Sequence, residues 1–164
     1  MAAQPNEVTI LLVEDDPGHA RLIEKNLRRT RISNTIVHVR DGQTALDYLL
    51  SENEYAGTTL PESLLVLLDL NLPGMSGFQV LQRMKSDVRT RSIPVVILTT
   101  TDDQREVERC YELGCSVYIT KPVDYERFTE AIWKLGLLFS IVAVPHQDQD
   151  QGHPPDAPPP PEEP

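Results

Sequence analysis

The amino-acid sequence predicts an α/β fold in which a parallel sheet carries helices on both faces. Two observations support this prediction: five short apolar segments recur along the 164 residues, and segments of helical periodicity lie between them. Three of the five apolar segments are continuous instead of alternating, which is typical of strands buried on both faces. Strands and helices that alternate in this way form a doubly wound (βα)5 domain with right-handed crossovers.

The strands are predicted from the apolar segments themselves. In chain order they are Val8–Val13, Thr35–Val39, Leu64–Leu68, Pro94–Leu98 and Val117–Thr120. The third runs directly into one carboxylate, Asp69, and a turn with proline and glycine follows at once. Burying a carboxylate is costly unless something pairs with it, so Asp69 is the first candidate for a functional residue.

Helices are predicted where apolar residues recur every three or four positions. Pro17 begins the first helix, at a position where its missing N–H costs no hydrogen bond. The apolar faces of the other four helices are Ala45, Leu46, Leu49 and Leu50; Phe78, Leu81 and Met84; Val107, Cys110, Tyr111 and Gly114; and Phe128, Ala131, Ile132 and Leu135. Gly114 is well placed to end the fourth helix, since glycine favours the conformation found there.

These elements predict one globular domain over residues 8–138, preceded by an N-terminal arm, 1–7. A long polar loop, Ser51–Ser63, interrupts the pattern before the third strand. An apolar extension, 139–145, and a Pro-rich acidic tail, 146–164, follow the domain, and we expect the tail to be disordered with polyproline character. Two interpretations of the tail stay open, a solvated segment and a ligand for a proline-recognising partner.

Composition and charge exclude several classes of protein. The chain has 15 basic and 25 acidic residues, a net charge of -10, and no basic patch, which argues against direct binding of nucleic acid. It shows no apolar stretch of about 20 residues and no signal-peptide pattern, so we expect a cytoplasmic protein without a membrane segment. Cys110 and Cys115 have no histidine or further cysteine nearby and are interpreted as reduced thiols, with Cys110 in the core.

Four of the five predicted strands end in residues that can do chemistry. In chain order these residues are Glu14, Asp15 and Asp16 after the first strand, Asp69 after the third, Thr99 after the fourth and Lys121 after the fifth. Open α/β sheets bind ligands outside the carboxyl ends of their strands. If the strand order is 2-1-3-4-5, the first and third strands are neighbours, and the acids share one pocket.

The chemistry of such a pocket can be inferred from its residue types. Crowded carboxylates raise one another's pKa unless a cation lies among them. Few, hard oxygen ligands suit Mg²⁺, and an aspartate can act as a nucleophile toward a phosphoryl group. The negative charge of the transition state then needs a metal, an ammonium and a hydroxyl, which Asp15 with Mg²⁺, Lys121 and Thr99 would supply. The sequence therefore predicts a site that phosphorylates its own aspartate.

The same residues carry a resemblance to a known family. The segments "LLVEDD", "LLDLNLPGMSG", "VVILTT" and "YITKP" resemble the receiver domains of two-component response regulators, in the family's order and spacing. The resemblance covers about Val8 to Leu138 and implies the flavodoxin-like strand order 2-1-3-4-5. It implies that Asp69 is the phosphoacceptor and that Glu14 and Asp15 are the acidic pair. Mg²⁺ would be held by these three residues and the backbone carbonyl of Asn71.

The resemblance also assigns roles around the phosphoryl group. Thr99 matches the switch hydroxyl, Lys121 the phosphate-binding lysine, and Tyr118 the aromatic residue that turns inward on activation. Pro122, after the lysine, is the candidate for a cis proline. Two residues are assigned minor roles. Asp16 falls one place beyond the acidic pair, and Thr100 would narrow the access of water, so that self-dephosphorylation is modest.

No second domain follows, so the sequence predicts output through protein contacts instead of a DNA-binding module. The apolar segment Leu135–Pro145 and the "ENEYAG" insertion resemble stand-alone receivers partnered with bacterial phytochromes, in which the extension helps to form a homodimer. The expected partner is therefore a histidine kinase, of the bacteriophytochrome type in this resemblance, or a phosphotransfer protein. An extension that packs on its own domain is the alternative to the homodimer.

A phosphoryl-accepting switch is not an enzyme in the ordinary sense. Two other functions are alternatives to it. A receiver-like module that interacts without phosphorylation usually lacks the acceptor, the acidic pair or the lysine, all of which are present here. An aspartyl phosphatase would favour an aspartate at position 71, which is Asn71. His19 lies early on the first predicted helix, near the mouth of the pocket, where a solvated side chain and a contact with a partner kinase are both compatible with the sequence.

Overall fold

The computed structural model describes residues 8–29, 34–100, 103–121, 126 and 130. Within these ranges five strands alternate with four α-helices: β1 (Thr9–Val13), α1 (Pro17–Arg29), β2 (Ile36–Val39), α2 (Gly42–Leu50), β3 (Leu64–Asp69), α3 (Gly77–Ser86), β4 (Val95–Thr99), α4 (Gln104–Glu112) and β5 (Val117–Thr120). All five predicted strands are present to within one residue at each end. The predicted apolar face of the fifth helix, the extension and the tail lie outside the described residues.

The five strands form one sheet in the order β2-β1-β3-β4-β5, and every neighbouring pair is parallel. The predicted α/β fold with the flavodoxin-like order 2-1-3-4-5 is therefore confirmed. The register pairs Val13 with Leu68 and Asp69 with Leu98. The carboxyl ends of β1, β3 and β4 thus lie side by side at one edge of the sheet.

The core has two layers, one on each face of the sheet. Alternate residues of a strand point to opposite faces, so Ile10 and Leu12 join the layer under α1, while Leu11 and Val13 join the layer under α2 and α3. This two-sided burial explains why the strand sequences are continuously apolar instead of alternating. None of the helices in the described ranges is long and apolar enough to cross a bilayer.

The predicted helix faces are confirmed for α2, mostly for α3 and only in part for α4. Ala45, Leu46, Leu49 and Leu50 are all buried, as are Leu81 and Met84, while Phe78 is half-buried. In α4 only Cys110 is buried, and Tyr111 is 49% exposed. The helix has nine residues, most of them charged or polar, and of these only Cys110 is buried in the core.

The loop Ser51–Ser63, predicted to be irregular and polar, contains a 3₁₀ helix at Asn53–Tyr55. The Asn53 side-chain amide donates a hydrogen bond to Asp47 Oδ1 at 2.9 Å, and the rings of Tyr48 and Tyr55 meet edge to face at 5.3 Å. Both contacts tie the start of the loop to α2. The start of the loop is therefore held against α2 by these two contacts.

The turn after Asp69 brings α3 back against the end of β3. The backbone N–H of Gly77 donates to the carbonyl oxygen of Leu70 at 3.0 Å, and Ser76 and Gln79 form a capping box at the start of α3. A Cβ atom at position 77 would meet the carbonyl oxygen of Asp69 and lie 2.6 Å from the Cα of Leu70. Because these are backbone atoms, glycine is required for this close approach.

Gly77→Ala should therefore destabilise the protein by about 2–3 kcal/mol, because the added methyl group would clash with backbone atoms, which cannot change rotamer as a side chain can. Urea unfolding measures this loss. Gly57→Ala is the matched control, since Gly57 has a positive φ of 83° but open space around its Cα. The control should cost about 1 kcal/mol from its backbone conformation alone. Equal losses in the two variants would contradict the close approach at Gly77.

Candidate functional site

Four polar side chains that the sequence placed at strand ends meet at the carboxyl edge of the sheet. Glu14 follows β1, Asp69 ends β3, Thr99 ends β4 and Lys121 follows β5. Glu14, Asp69 and Thr99 are buried, and the Lys121 side chain is only 7% exposed. Such burial of charged groups is rare in proteins unless they are paired, so their mutual contacts determine whether the site is stable.

The ammonium of Lys121 lies between the two buried carboxylates. Lys121 Nζ donates to Glu14 Oε2 at 2.7 Å and to Asp69 Oδ2 at 3.0 Å. Among the described residues, no buried side-chain nitrogen or oxygen lacks a hydrogen-bond partner. Lys121 is therefore the cation shared by both carboxylates, and removing it would leave two buried charges without this partner.

Burial and pairing shift the pKa values of this network. Burial raises the pKa of Glu14, and the nearby charge of Asp69 adds to the effect, although the hydrogen bond from Lys121 acts in the opposite direction. Burial alone would lower the pKa of Lys121, but the hydrogen bonds to Glu14 and Asp69 outweigh burial and raise that pKa. The lysine therefore stays charged, whereas ionising Glu14 costs more free energy in the folded protein than in water.

Asp15 completes a cluster of oxygen ligands at the same edge. Glu14, Asp15 and Asp69 each offer one carboxylate oxygen, and these three atoms lie within 4.8 Å of one another. Asp15 is exposed while the other two are buried, so the cluster opens to solvent on one side. An all-oxygen donor set of this size fits a hard divalent cation such as Mg²⁺.

Asp16, which the sequence assigned a minor role, is exposed and caps α1. Its Oδ1 accepts the backbone N–H groups of His19 at 3.1 Å and Gly18 at 2.7 Å, and these bonds lower the pKa of Asp16. A carboxylate at this end of a helix also interacts favourably with the helix dipole. Asp16 thus orients the first turn of α1 beside the acidic cluster.

Asn71 connects the acidic cluster to the hydroxyls on β4. Its backbone N–H donates to Asp69 Oδ1 at 3.0 Å. Its side-chain amide donates to Thr99 Oγ1 at 3.2 Å and to Thr100 Oγ1 at 3.3 Å. The sequence assigned a role to the Asn71 carbonyl only, so these contacts of the side chain and the N–H were missed.

The remaining predicted residues lie around this centre. Tyr118 pairs with Ile97 across β4 and β5 and is half-buried against the core layer under α2 and α3. Thr100 is exposed at the edge of the site. Pro122, the candidate cis proline, lies outside the described residues.

Two histidines contact the site: His19, which the sequence placed near the mouth of the pocket, and His38, which sequence reasoning did not place there. His19 Nδ1 lies 3.5 Å from both Glu14 Oε1 and Lys121 Nζ, although the side chain is 47% exposed. His38 Nε2 lies 2.8 Å from the main-chain oxygen of Glu14. The position predicted for His19 follows from its place early on a helix that begins directly after the acidic pair. The position of His38 in an edge strand did not indicate a contact with the site.

Comparison with known proteins decides the family. The family model of the response regulator receiver domain matches residues 10–133 of the chain sequence. The chain belongs to the response regulator receiver domain family. The resemblance drawn from the four sequence segments is therefore confirmed, and this receiver takes part in two-component signalling instead of acting as an ordinary enzyme.

Similar solved structures include several response regulators of phytochromes. The bacteriophytochrome response regulator RtBRR is 43% identical, with a TM-score of 0.72 over 78% of this chain and 77% of that chain. The Mn²⁺-bound form of Rcp1, a response regulator of Synechocystis, is 35% identical, with a TM-score of 0.66 over 80% and 91%. Phosphorylated RcpA, a cyanobacterial phytochrome response regulator, is 38% identical, with a TM-score of 0.68 over 81% and 93%.

The raised pKa of Glu14 gives this receiver a testable pH dependence. The native state binds the Glu14 proton more tightly than the unfolded chain does, so the stability from this group is complete below its ordinary pKa of 4.5. That stability is lost as the pH rises through the raised pKa. The free energy of unfolding of wild type minus that of Glu14→Gln should therefore fall from about pH 4 to pH 7 in metal-free buffer.

Urea unfolding at several pH values measures this difference. Glu54→Gln is the control, because Glu54 is exposed in the insertion and has no contact with the acidic cluster. The difference in the free energy of unfolding between wild type and Glu14→Gln could instead stay constant or grow with pH. That result would contradict the burial of an ionised Glu14.

Proposed function

We propose that this receiver accepts a phosphoryl group on Asp69 from a phosphohistidine of a partner histidine kinase or phosphotransfer protein. The observation that supports this most directly is the pairing of Asp69 with Lys121 inside a cluster of carboxylates. An isolated structural ion pair would not need Glu14 and Asp15 beside it, since added negative charge destabilises such a pair. A site that must hold a cation and a phosphoryl group does need them.

The oxygen cluster fits a resident Mg²⁺. Glu14, Asp15 and Asp69 would bind the ion, with the backbone carbonyl of Asn71 as a further ligand. Mn²⁺ binding by Rcp1 supports a divalent ion in this receiver as well. When bound, the ion would supply positive charge that offsets the crowded carboxylates and the oxygens of the transferred group.

The transfer step follows from the nucleophile and its donors. A carboxylate oxygen of Asp69 attacks phosphorus while the bond from phosphorus to the donor's imidazole nitrogen breaks, and the electron pair leaves with the imidazole. Lys121 turns from the Asp69 oxygen to an oxygen of the transferred group, and the Thr99 hydroxyl donates to another. Both donors are already within the buried site, so little rearrangement is needed as charge develops.

The proposed switch lies in the hydrogen bond between Asn71 and Thr99. The amide of Asn71 donates to Thr99 Oγ1 at 3.2 Å in the unphosphorylated protein. Moving the hydroxyl toward the phosphoryl group breaks that bond and vacates space on β4, into which half-buried Tyr118 can turn. Phosphorylation thus shifts the balance between two packings of β4 and β5 and changes which proteins bind there. Thr100 at the edge of the site keeps self-dephosphorylation modest.

The proposed cellular setting is a cytoplasmic pathway. The similarity to RtBRR and RcpA favours a phytochrome histidine kinase as the partner. We assign residues 8–138 to the receiver, the extension 139–145 to a homodimer contact and 146–164 to a tail outside the domain. The output is a protein contact.

Phosphorylation with a small donor tests this function. Wild-type protein incubated with acetyl phosphate and Mg²⁺ should gain one phosphoryl group by intact mass, and fragmentation should place the group on Asp69. Asp69→Asn should gain none. Asp87→Asn is the matched control, because Asp87 is an aspartate at the other end of the domain that pairs with Arg89, and it should behave as the wild type does.

Two results would overturn the proposal. One is a wild-type protein that gains no phosphoryl group under conditions where another receiver is phosphorylated. The other is an Asp69→Asn variant that gains as much as the wild type. Either result would favour a receiver-like interaction module that works without phosphorylation.

A further inference from the structure

A cavity of about 390 Å³ lies at the amino edge of the sheet, at the opposite end of β3 from Asp69. One wall is the end of the insertion, Leu60–Ser63, and the other is formed by residues of the loop between α3 and β4, within Arg89–Pro94. Two buried residues, Val8 and Leu64, also line this amino-edge cavity. Its volume is in the range of small-ligand sites in proteins.

The register of the sheet explains why a cavity forms at this place. β3 begins at Leu64, but its pairing with β4 begins only at Val66, which lies opposite Val95. The Val66 N–H donates to the carbonyl oxygen of Pro94 at 3.1 Å. The N–H and C=O groups of alternate residues point to the same side of a strand. Those of Leu64 therefore also point to the side of β4, but they lie beyond its first residue.

Both main-chain groups of Leu64 thus face the cavity instead of a neighbouring strand. The next bond of the ladder would run from the N–H of residue 94 to the Leu64 carbonyl oxygen, but Pro94 has no N–H. Among the residues that the structure describes, neither group of Leu64 has a hydrogen-bond partner on this side. Buried main-chain groups are almost always paired, so this donor and this acceptor are available to water or to a ligand that enters the cavity.

We propose that the amino-edge cavity binds a short free peptide in an extended conformation. One residue of such a peptide presents its N–H and C=O on the same side, and these groups match the C=O and N–H of Leu64 as in an added strand. β3 extends two residues beyond its first pair with β4. The space beside it therefore suits a ligand of about three residues, whose middle residue pairs with Leu64.

The two walls complement a ligand with an apolar side chain and opposite charges at its ends. The insertion contributes the exposed carboxylate of Glu62, and the opposite loop contributes the exposed guanidinium of Arg89. Arg89 donates to Asp87 through Nε and Nη2, so its Nη1 can donate to a ligand carboxylate. Leu60 and Ile93, one on each wall, supply apolar surface. A tripeptide with free ends and a central leucine fits this lining.

Both walls are held in place by hydrogen bonds within the domain. Lys85 Nζ donates to the carbonyl oxygen of Ile93 at 2.8 Å and to that of Arg91 at 3.0 Å. On the other side, the Thr9 N–H donates to the carbonyl oxygen of Ser63 at 2.9 Å. A preformed site loses little conformational entropy on binding, so a few modest contacts are enough for a measurable affinity.

Titration of the full chain with the tripeptide Ala-Leu-Ala tests the proposal. In ¹⁵N spectra the amide signal of Leu64 should shift and saturate with a Kd of about 0.1 mM, as ordinary ligand efficiency predicts for a ligand of this size. The control probe is the same tripeptide methylated on the leucine nitrogen, which cannot donate to the Leu64 carbonyl oxygen. It should bind about tenfold more weakly. No phosphodonor is present, so the result does not depend on the proposed function.

Two variants assign the binding to this cavity. Ser92→Trp places a large side chain at the exposed rim and should abolish binding of the tripeptide. Ser86→Trp is the matched control, because Ser86 is exposed at the end of α3 and does not line the cavity. Pro94→Ala supplies an N–H that can pair with the Leu64 carbonyl oxygen, so it should weaken binding about tenfold by removing the free acceptor.

Several results would overturn the proposal. It is wrong if the tripeptide leaves the Leu64 amide signal of the full chain unchanged, if the methylated probe binds equally well, or if Ser92→Trp binds as the wild type does. Binding that appears only after deletion of residues 2–7 would also overturn it. The occupant would then be the N-terminal arm of the chain itself, which leads directly into Val8 in the cavity lining.

Discussion

The Lys121 ammonium between two buried carboxylates is the interaction on which the rest of the site depends. A charged group taken out of water is costly, and two carboxylates at one sheet edge would repel each other without a cation. Lys121 meets both, at 2.7 Å and 3.0 Å, and joins residues that are 107 and 52 positions away in the chain. The other predicted polar residues of the site, Asp15 and Thr99 among them, lie at the same edge of the sheet.

The same arrangement explains how a stable domain can carry a reactive centre. The neighbours of Asp69 are already donors: Lys121 contacts one of its oxygens and the Asn71 N–H the other. Lys121 thus stabilises the unphosphorylated carboxylate and, in the proposed transfer, would turn to an oxygen of the phosphoryl group. In that proposal, phosphorylation would change the partner of an existing donor instead of bringing in a new one.

Sequence reasoning recovered the parts of the site that topology alone fixes. Glu14, Asp69, Thr99 and Lys121 each end or follow a strand, so the order of strands is enough to bring them to one edge. Contacts that depend on the reach of a side chain across a turn were not predictable in this way. The amide of Asn71 reaches the hydroxyls on β4 because of how the β3–α3 turn folds. The exposure of Tyr111 depends on how α4 lies on the sheet, which a periodic pattern does not encode.

Unfolding of a lysine variant in metal-free buffer tests the central interaction most directly. Lys121→Met keeps most of the apolar stem but leaves Glu14 and Asp69 buried without a cation, so the free energy of unfolding should fall by about 3 kcal/mol. Lys25→Met, on the exposed side of α1, should stay within about 0.5 kcal/mol of the wild type. Adding Asp69→Asn to Lys121→Met should restore part of the loss, because it removes one of the stranded charges. A Lys121→Met variant as stable as the wild type would contradict the account.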